Sequence, residues 1–168
     1  MKKFLISCFI LLFVFQANAN NLILGTPTIS GSTISFTIKW DNSWLVSTGP
    51  SNWDAVWVFI KRQACDQNSQ NPWLHADLAS SGHSVGGSQL QVDLAPDNKG
   101  VFIRRTSSAA GKGNISQVTV TLTLASAINT DNIGLYGVEM VNVPQGQFYI
   151  GDGEPNAGPW QINFTDGN

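Results

Sequence analysis

The sequence contains very little cysteine. Its 168 residues include two, Cys8 and Cys65, and Cys8 lies in an N-terminal segment that we expect to be removed. A single remaining thiol cannot form an internal disulfide, so the apolar core has to stabilise the fold. Two interpretations of Cys65 stay open: a half-buried small residue at the end of a strand, or a reactive or intermolecular thiol.

Charged residues and histidines are also scarce. Charged residues make up 12% of the chain and form no basic block, which gives nucleic-acid binding little support. The two histidines, His75 and His83, show no zinc-binding spacing, and a group formed with Asp77 and Cys65 is the alternative. No residue is placed as a base beside the thiol of Cys65. We therefore predict no metal site, no cofactor and no catalysis by this chain alone.

A helical or long apolar pattern is missing outside the first residues. Lys2 and Lys3 precede the apolar run Phe4–Phe15, and Ala17-Asn18-Ala19 then supplies the small residues of a cleavage site. The run is shorter than the ~20 residues that span a bilayer, so a retained anchor is the weaker alternative, as is lipidation at Cys8. We expect residues 1–19 to be a signal peptide. The product would be exported to the periplasm, the cell surface or the medium, without a membrane span.

The rest of the chain is rich in alternating apolar and polar residues. The clearest examples are Thr33–Trp40, Gln89–Leu94, Val101–Thr106 and 117–124, separated by turns rich in Gly, Pro and Asn. A weaker strand, Leu22–Ile29, is interrupted by glycine and proline, which suits a sheet edge. This pattern predicts an all-β fold, an antiparallel β-sandwich of about 7–9 strands of the immunoglobulin or jelly-roll kind. A closed barrel is the structural alternative.

Residues 52–62 form the longest run of strand-forming residues. Both of its alternating faces are apolar, with Trp53, Trp57 and Phe59 on one side and Val58 and Ile60 on the other. A strand of this kind is expected at the centre of a sheet and covered on both sides. The pattern therefore predicts that Trp57 is fully buried.

The six tryptophans fall into two groups. Three lie on predicted strands and are expected in the core: Trp40, Trp53 and Trp57. Trp44, Trp73 and Trp160 lie in loop contexts beside Asp, Asn and Pro. Exposed indole rings beside amide and carboxylate groups can stack on a sugar while the polar groups bind its hydroxyls. Two interpretations of these three residues stay open: a carbohydrate-binding surface, or loop side chains that cover the ends of the sandwich.

Residues 139–153 contain a motif of known type. Met140-Val141, Val143-Pro144, Gly146, Phe148 and Gly151-Asp152 resemble the opening of the formylglycine-generating, sulfatase-modifying family. The stretches from Trp40 to Trp44 and from Trp53 to Phe59 also resemble the N-terminal β-domain that precedes this module in exported bacterial proteins.

The resemblance implies a division of the chain. Residues 20–132 would be the β-sandwich accessory domain, and residues 133–168 would begin the family's module, with hairpin 138–150 and a loop tail. The family's catalytic cysteines and metal-binding positions lie beyond residue 168, so no catalytic residue is carried over. The implied function is a non-catalytic accessory or binding domain, with the downstream module or its protein substrate as the partner. The alternative is a free-standing carbohydrate-binding module that uses Trp44, Trp73 or Trp160.

Overall fold

A computed structural model describes residues 20–49, 51–65, 71–128, 131–142, 144, 148–150 and 162–164. The regular elements of the described part are strands and one turn of 3-10 helix, Ser108–Ala110. The strands are β1 (Ile23–Leu24), β2 (Thr28–Ser30), β3 (Thr33–Ser43), β4 (Leu45–Val46), β5 (Asn52–Gln63), β6 (Leu74–His75), β7 (Ser84–Val85), β8 (Leu90–Leu94), β9 (Gly100–Arg105), β10 (Gly113–Thr123), β11 (Asn132–Asn142), β12 (Phe148–Ile150) and β13 (Ile162–Phe164).

The strands form two antiparallel sheets that pack together. The first has five strands in the order β1-β3-β10-β7, with β2 also paired to β3. The second has six strands in the order β11-β5-β9-β8, with β4 and β6 also paired to β5. β12 and β13 pair with each other in a separate two-stranded sheet. The predicted all-β antiparallel sandwich is confirmed. No helix in the described part is long and apolar enough to cross a membrane.

The core lies between the two sheets and follows the alternation of the sequence. The fully buried side chains of the first sheet include Ile34, Ile38 and Leu122, and those of the second include Val58 and Ile103. Burying each such side chain stabilises the fold by roughly 1.5–3 kcal/mol relative to leaving it exposed. With no disulfide among the described residues, this apolar layer is the main source of stability.

A β-bulge in β3 turns one polar residue into the core. Asn42 has a left-handed backbone (φ 58°), and the register with β10 shifts between Trp40 and Ser43. The extra residue breaks the alternation, so Ser43 points inward and is fully buried. There it lies beside Asp54 of the opposite sheet, which explains why a polar side chain is tolerated at this depth.

The expectation that β5 is covered on both faces is wrong. Val56, Val58 and Ile60 face the first sheet and are buried, whereas Trp57 and Phe59 on the other face are only half-buried. The reason is that the six-stranded sheet has one partner layer, and none of the described residues forms a layer over its outer face. Trp57 is therefore not a core residue in the predicted sense.

The division after residue 132 also needs correction. β11 pairs with β5 without a register break, from Asn132 opposite Gln63 to Asn142 opposite Trp53. A Cβ atom at Gly137 would lie 2.9 Å from a side-chain carbon of Leu24, so β11 packs directly on the N-terminal segment. Residues 133–142 therefore belong to the sandwich by hydrogen bonding and by packing.

Candidate functional site

The outer face of the six-stranded sheet carries a continuous apolar surface. The strand register places Tyr136 beside Phe59, and Val138 beside Trp57, which is in turn beside Phe102. Residues directly opposite one another in an antiparallel pair share a face of the sheet. We call this surface the aromatic face and define it by seven residues: Trp53, Trp57, Phe59, Phe102, Tyr136, Val138 and Met140.

The aromatic face is accessible to solvent. Tyr136, Val138 and Met140 are 45%, 47% and 43% exposed, and they follow one another on the same side of β11. Isolated exposed apolar side chains are ordinary on protein surfaces, but a contiguous patch of this kind marks an interaction site. The face is therefore the strongest candidate for a functional surface in the described part of the chain.

The aromatic rings fix one another in place. Phe59 and Tyr136 stack with centroids 5.2 Å apart and ring planes 14° apart, and Trp57 lies 4.7 Å from Phe59. Phe59 also contacts the ring of His75, with centroids 5.7 Å apart. Side chains held by such contacts have little rotamer freedom left to lose when a ligand binds. The rings of the aromatic face therefore support one another in one arrangement.

Two glycines provide the space in which these rings lie. A Cβ atom at Gly100 would lie 2.6 Å from Nε1 of Trp57, and one at Gly134 would lie 2.7 Å from the ring of Tyr136. Gly100 is the first residue of β9, whereas Gly134 lies inside β11, where glycine otherwise weakens the sheet. Glycine within an otherwise regular strand was the signal in the sequence that could have located this surface.

One end of the aromatic face forms a groove of about 390 Å³ with a polar side. Nε of Arg104 donates to Oδ2 of Asp93 at 2.6 Å, and Nε2 of Gln91 donates to the same carboxylate. The guanidinium of Arg104 lies 5.4 Å from the ring centre of Trp53. The groove thus combines an indole, a guanidinium and a carboxylate, and its far wall is formed by β11, including Asn142.

Trp44 and Trp73, two of the three tryptophans considered for sugar binding, lie far apart. Trp44 is half-buried, and its Nε1 donates to Oδ1 of Asn52 at 2.8 Å, near the start of β5. Trp73 is 44% exposed and precedes Leu74, which pairs with Arg62 near the end of β5. The two indoles therefore lie at opposite ends of β5. Since a strand rises about 3.3 Å per residue, the positions that they adjoin, Asn52 and Arg62, are roughly 33 Å apart along the strand. Trp160 lies outside the described residues.

The groups considered for metal or nucleophilic chemistry have other surroundings. Within the described ranges, no three His, Cys, Asp or Glu side chains come together as a metal site would require. The ring nitrogens of His83 lie 2.9 Å from the carbonyl oxygen of Ala79 and 3.2 Å from the amide nitrogen of Thr123, so this imidazole joins a loop to β10. Cys65 is exposed, so the half-buried interpretation is wrong.

Comparisons with protein-family models, curated proteins and solved structures found no match. The aromatic face and the groove are therefore the features of the described residues that bear on function.

Proposed function

We propose that this chain is a non-catalytic accessory domain that binds a neighbouring protein module through its aromatic face. The observation that carries the proposal is the exposure of Tyr136, Val138 and Met140 beside the rings of Trp57 and Phe59. An apolar face of this kind promotes aggregation when it is exposed to water. A partner that covers it is therefore the simplest explanation for its presence on a secreted domain.

The composition of the face suits a protein partner. Trp, Tyr, Phe, Met and Arg are the residue types enriched in the centres of protein interfaces, where Lys, Glu and Asp are depleted. The aromatic face contains all of the first group when Arg104 is included, and Asp93 beside it is already paired with Arg104. Truncation of such central aromatic anchors typically costs more binding energy than truncation of their neighbours.

The proposed partner is a module of the formylglycine-generating family, or the protein substrate of that module. Met140 and Val141 begin the family-like motif, and both line the groove beside the aromatic face. A module that continues from this motif would start directly at the edge of the exposed surface. Covering the surface would then need no long linker.

A binding measurement with matched variants tests this proposal. The processed chain, residues 20–168, is titrated calorimetrically with a purified catalytic module of that family that lacks its own N-terminal β-domain. We expect Trp57→Thr to weaken binding at least about tenfold, which corresponds to roughly 1.4 kcal/mol. Threonine keeps the strand preference while removing the ring.

The control is Ile29→Thr, which removes a 39% exposed apolar side chain from the opposite sheet. It should leave the affinity unchanged. Absence of binding by the wild-type chain, or an equal loss in both variants, would count against the proposal.

Carbohydrate binding is the second candidate function. The groove favours it, because Trp53 offers an apolar ring while Asp93 and Arg104 offer hydrogen-bonding groups to hydroxyls. Titration with a panel of neutral and acidic oligosaccharides, followed by tryptophan fluorescence, tests this directly. Loss of the response in Trp53→Ala would locate the sugar in the groove, and loss in Trp73→Ala would locate it on the loop instead. No response from any sugar would reject the candidate.

A further inference from the structure

The edge formed by β11 is the longest sheet edge in the described part of the chain. β11 ends the six-stranded sheet, and its outer side pairs with no other described strand. Its backbone is extended over eleven residues, Asn132–Asn142. Such an edge presents a row of backbone N–H and C=O groups to any strand of matching length.

β11 has few of the features that normally prevent pairing at an edge. It contains no lysine, arginine or proline, and its register with β5 has no bulge. The other edges are short: β1 and β7 have two residues each, and β8 has five, including the charged Asp93. Natural sheets protect long edges with such charges, prolines and bulges. β11 is the one long edge among these strands, and its single charged residue, Glu139, lies on the inner side of the sheet opposite Val56. Its length and its lack of lysine, proline and a bulge indicate that this edge is used.

The side chains of β11 are complementary to a second copy of the same strand. In an antiparallel pair with a two-fold axis at Gly137, Tyr136 lies opposite Val138 of the second copy. With the axis at Val138, Tyr136 lies opposite Met140. Either arrangement places the exposed apolar residues of both copies on one face, because the two-residue period of the strands is kept. Aromatic side chains opposite β-branched ones are favourable cross-strand pairs.

Charge does not oppose this pairing. Glu139 is the one charged residue of β11, and it alternates onto the other face from Tyr136 and Val138. With the axis at Gly137 it lies opposite Leu135 of the second copy, and the two Glu139 side chains stay apart. With the axis at Val138 it lies opposite Gly137 and diagonally beside the second Glu139, so charge favours the axis at Gly137. The row formed by Phe59 and Tyr136 of one copy would also continue into the aromatic face of the other.

We propose that this chain forms a symmetric dimer by antiparallel pairing of β11 with β11 of a second copy. The two six-stranded sheets join into one twelve-stranded sheet, and the two aromatic faces become one continuous surface. The proposal concerns the edge of the sheet, whereas the proposed function concerns its face, so the two stand on separate observations.

Sedimentation equilibrium of the processed chain, from micromolar to near-millimolar concentration, tests the dimer. We expect the mass of two chains for the wild type and of one chain for Val138→Lys, because two lysines would meet at or beside the axis. Ile29→Lys adds the same charge to an exposed apolar site on the opposite sheet and should remain dimeric. Circular dichroism melts confirm that each variant is folded.

Amide hydrogen exchange separates edge pairing from the other ways of covering β11. In an edge dimer the amides of β11 become more protected as the concentration rises, and Trp57→Thr does not change this. A dimer that packs face to face would be lost in Trp57→Thr and would give no such protection. A wild-type monomer overturns the proposal, whether its β11 amides exchange rapidly or are protected by the chain's own strand Phe148–Ile150. Should Val138→Lys fail to fold, the concentration dependence in the wild type still decides the question.

Discussion

Asp54 is a charged side chain that lies buried between the two sheets. It is 5% exposed, and its carboxylate accepts hydrogen bonds from Nε1 of Trp40 at 2.7 Å, from Oγ of Ser43 at 2.9 Å and from the backbone N–H of Trp44 at 2.7 Å. Nε of the buried Arg105 donates to the same Ser43 hydroxyl at 3.1 Å. Since Trp40 and Ser43 belong to the first sheet and Asp54 to the second, this cluster connects the two layers.

We expect Asp54→Ala to be strongly destabilising. It leaves buried donors without an acceptor and removes the negative charge near Arg105, a loss of about 3–5 kcal/mol in the free energy of unfolding. Asp93→Ala is the matched control, because it also removes a carboxylate bonded to an arginine, but one whose side chain is 40% exposed. That change should cost less than about 1 kcal/mol. Urea melts of the two variants make the comparison, and equal losses would show that the buried cluster does not stabilise the fold.

At the scale of the element, β5 has two apolar faces in different environments. Its inner face contacts the first sheet, and its outer face carries the half-buried Trp57 and Phe59. Burial, rather than side-chain size, should therefore decide the effect of truncation along this strand.

We predict that Ile60→Ala destabilises the protein more than Trp57→Ala. Ile60 is 1% exposed, so its truncation removes buried methyl groups and leaves a cavity, at about 2–5 kcal/mol. Trp57 is larger but half-buried, and solvent can fill the space it leaves, so we expect about 1–2 kcal/mol from the smaller area removed from water. Chemical denaturation measures both values. The reverse order would mean that another part of the chain covers the outer face.

β11 is the second element whose role can be tested by truncation. A chain of residues 20–142 keeps all eleven pairs between β11 and β5, whereas a chain of residues 20–132 loses ten of them and uncovers Leu24. We expect the longer chain to melt cooperatively and the shorter one to be unfolded, since typical domains are stable by only about 5–15 kcal/mol. Equal melting midpoints would restore the boundary after residue 132.

For the molecule as a whole, export is the property that the sequence predicts and that a single measurement can test. Edman sequencing or mass spectrometry of the secreted product should give Asn20 as the first residue, because Ala17 and Ala19 match the small positions of a cleavage site. Removal of Lys2 and Lys3 would leave 7 basic and 11 acidic residues, a formal net charge of −4. A mature protein that begins at a lipid-modified Cys8, or that keeps Met1, would contradict this prediction.

The resemblance to the formylglycine-generating family also concerns the molecule as a whole. Met140 and Val141, with which the motif begins, lie in the last strand of the sandwich rather than in a separate hairpin. Under the proposed function, a formylglycine-generating module that continued from this motif would share β11 with the sandwich. The aromatic face would then lie directly beside the module.

The sequence by itself determined the class of the fold and most of its strands. The alternation in Thr33–Trp40, Gln89–Leu94 and Val101–Thr106 corresponds to β3, β8 and β9. Such predictions succeed because side chains in a strand alternate between faces, so a buried face leaves a two-residue period in the sequence. The interrupted Leu22–Ile29 segment likewise became the short strands β1 and β2 beside β3.

Only the tertiary structure decided which apolar face is covered. The periodicity of the sequence separates the two faces of β5, but it does not show how many layers pack on the sheet. The pattern therefore predicts a buried Trp57 and does not identify Phe59 as part of an exposed surface. The candidate site depends on Tyr136 and Val138 lying beside these residues, a pairing between strands more than 70 residues apart in sequence. Contacts over such a separation arise from the packing of the whole sheet, and a local pattern does not contain them.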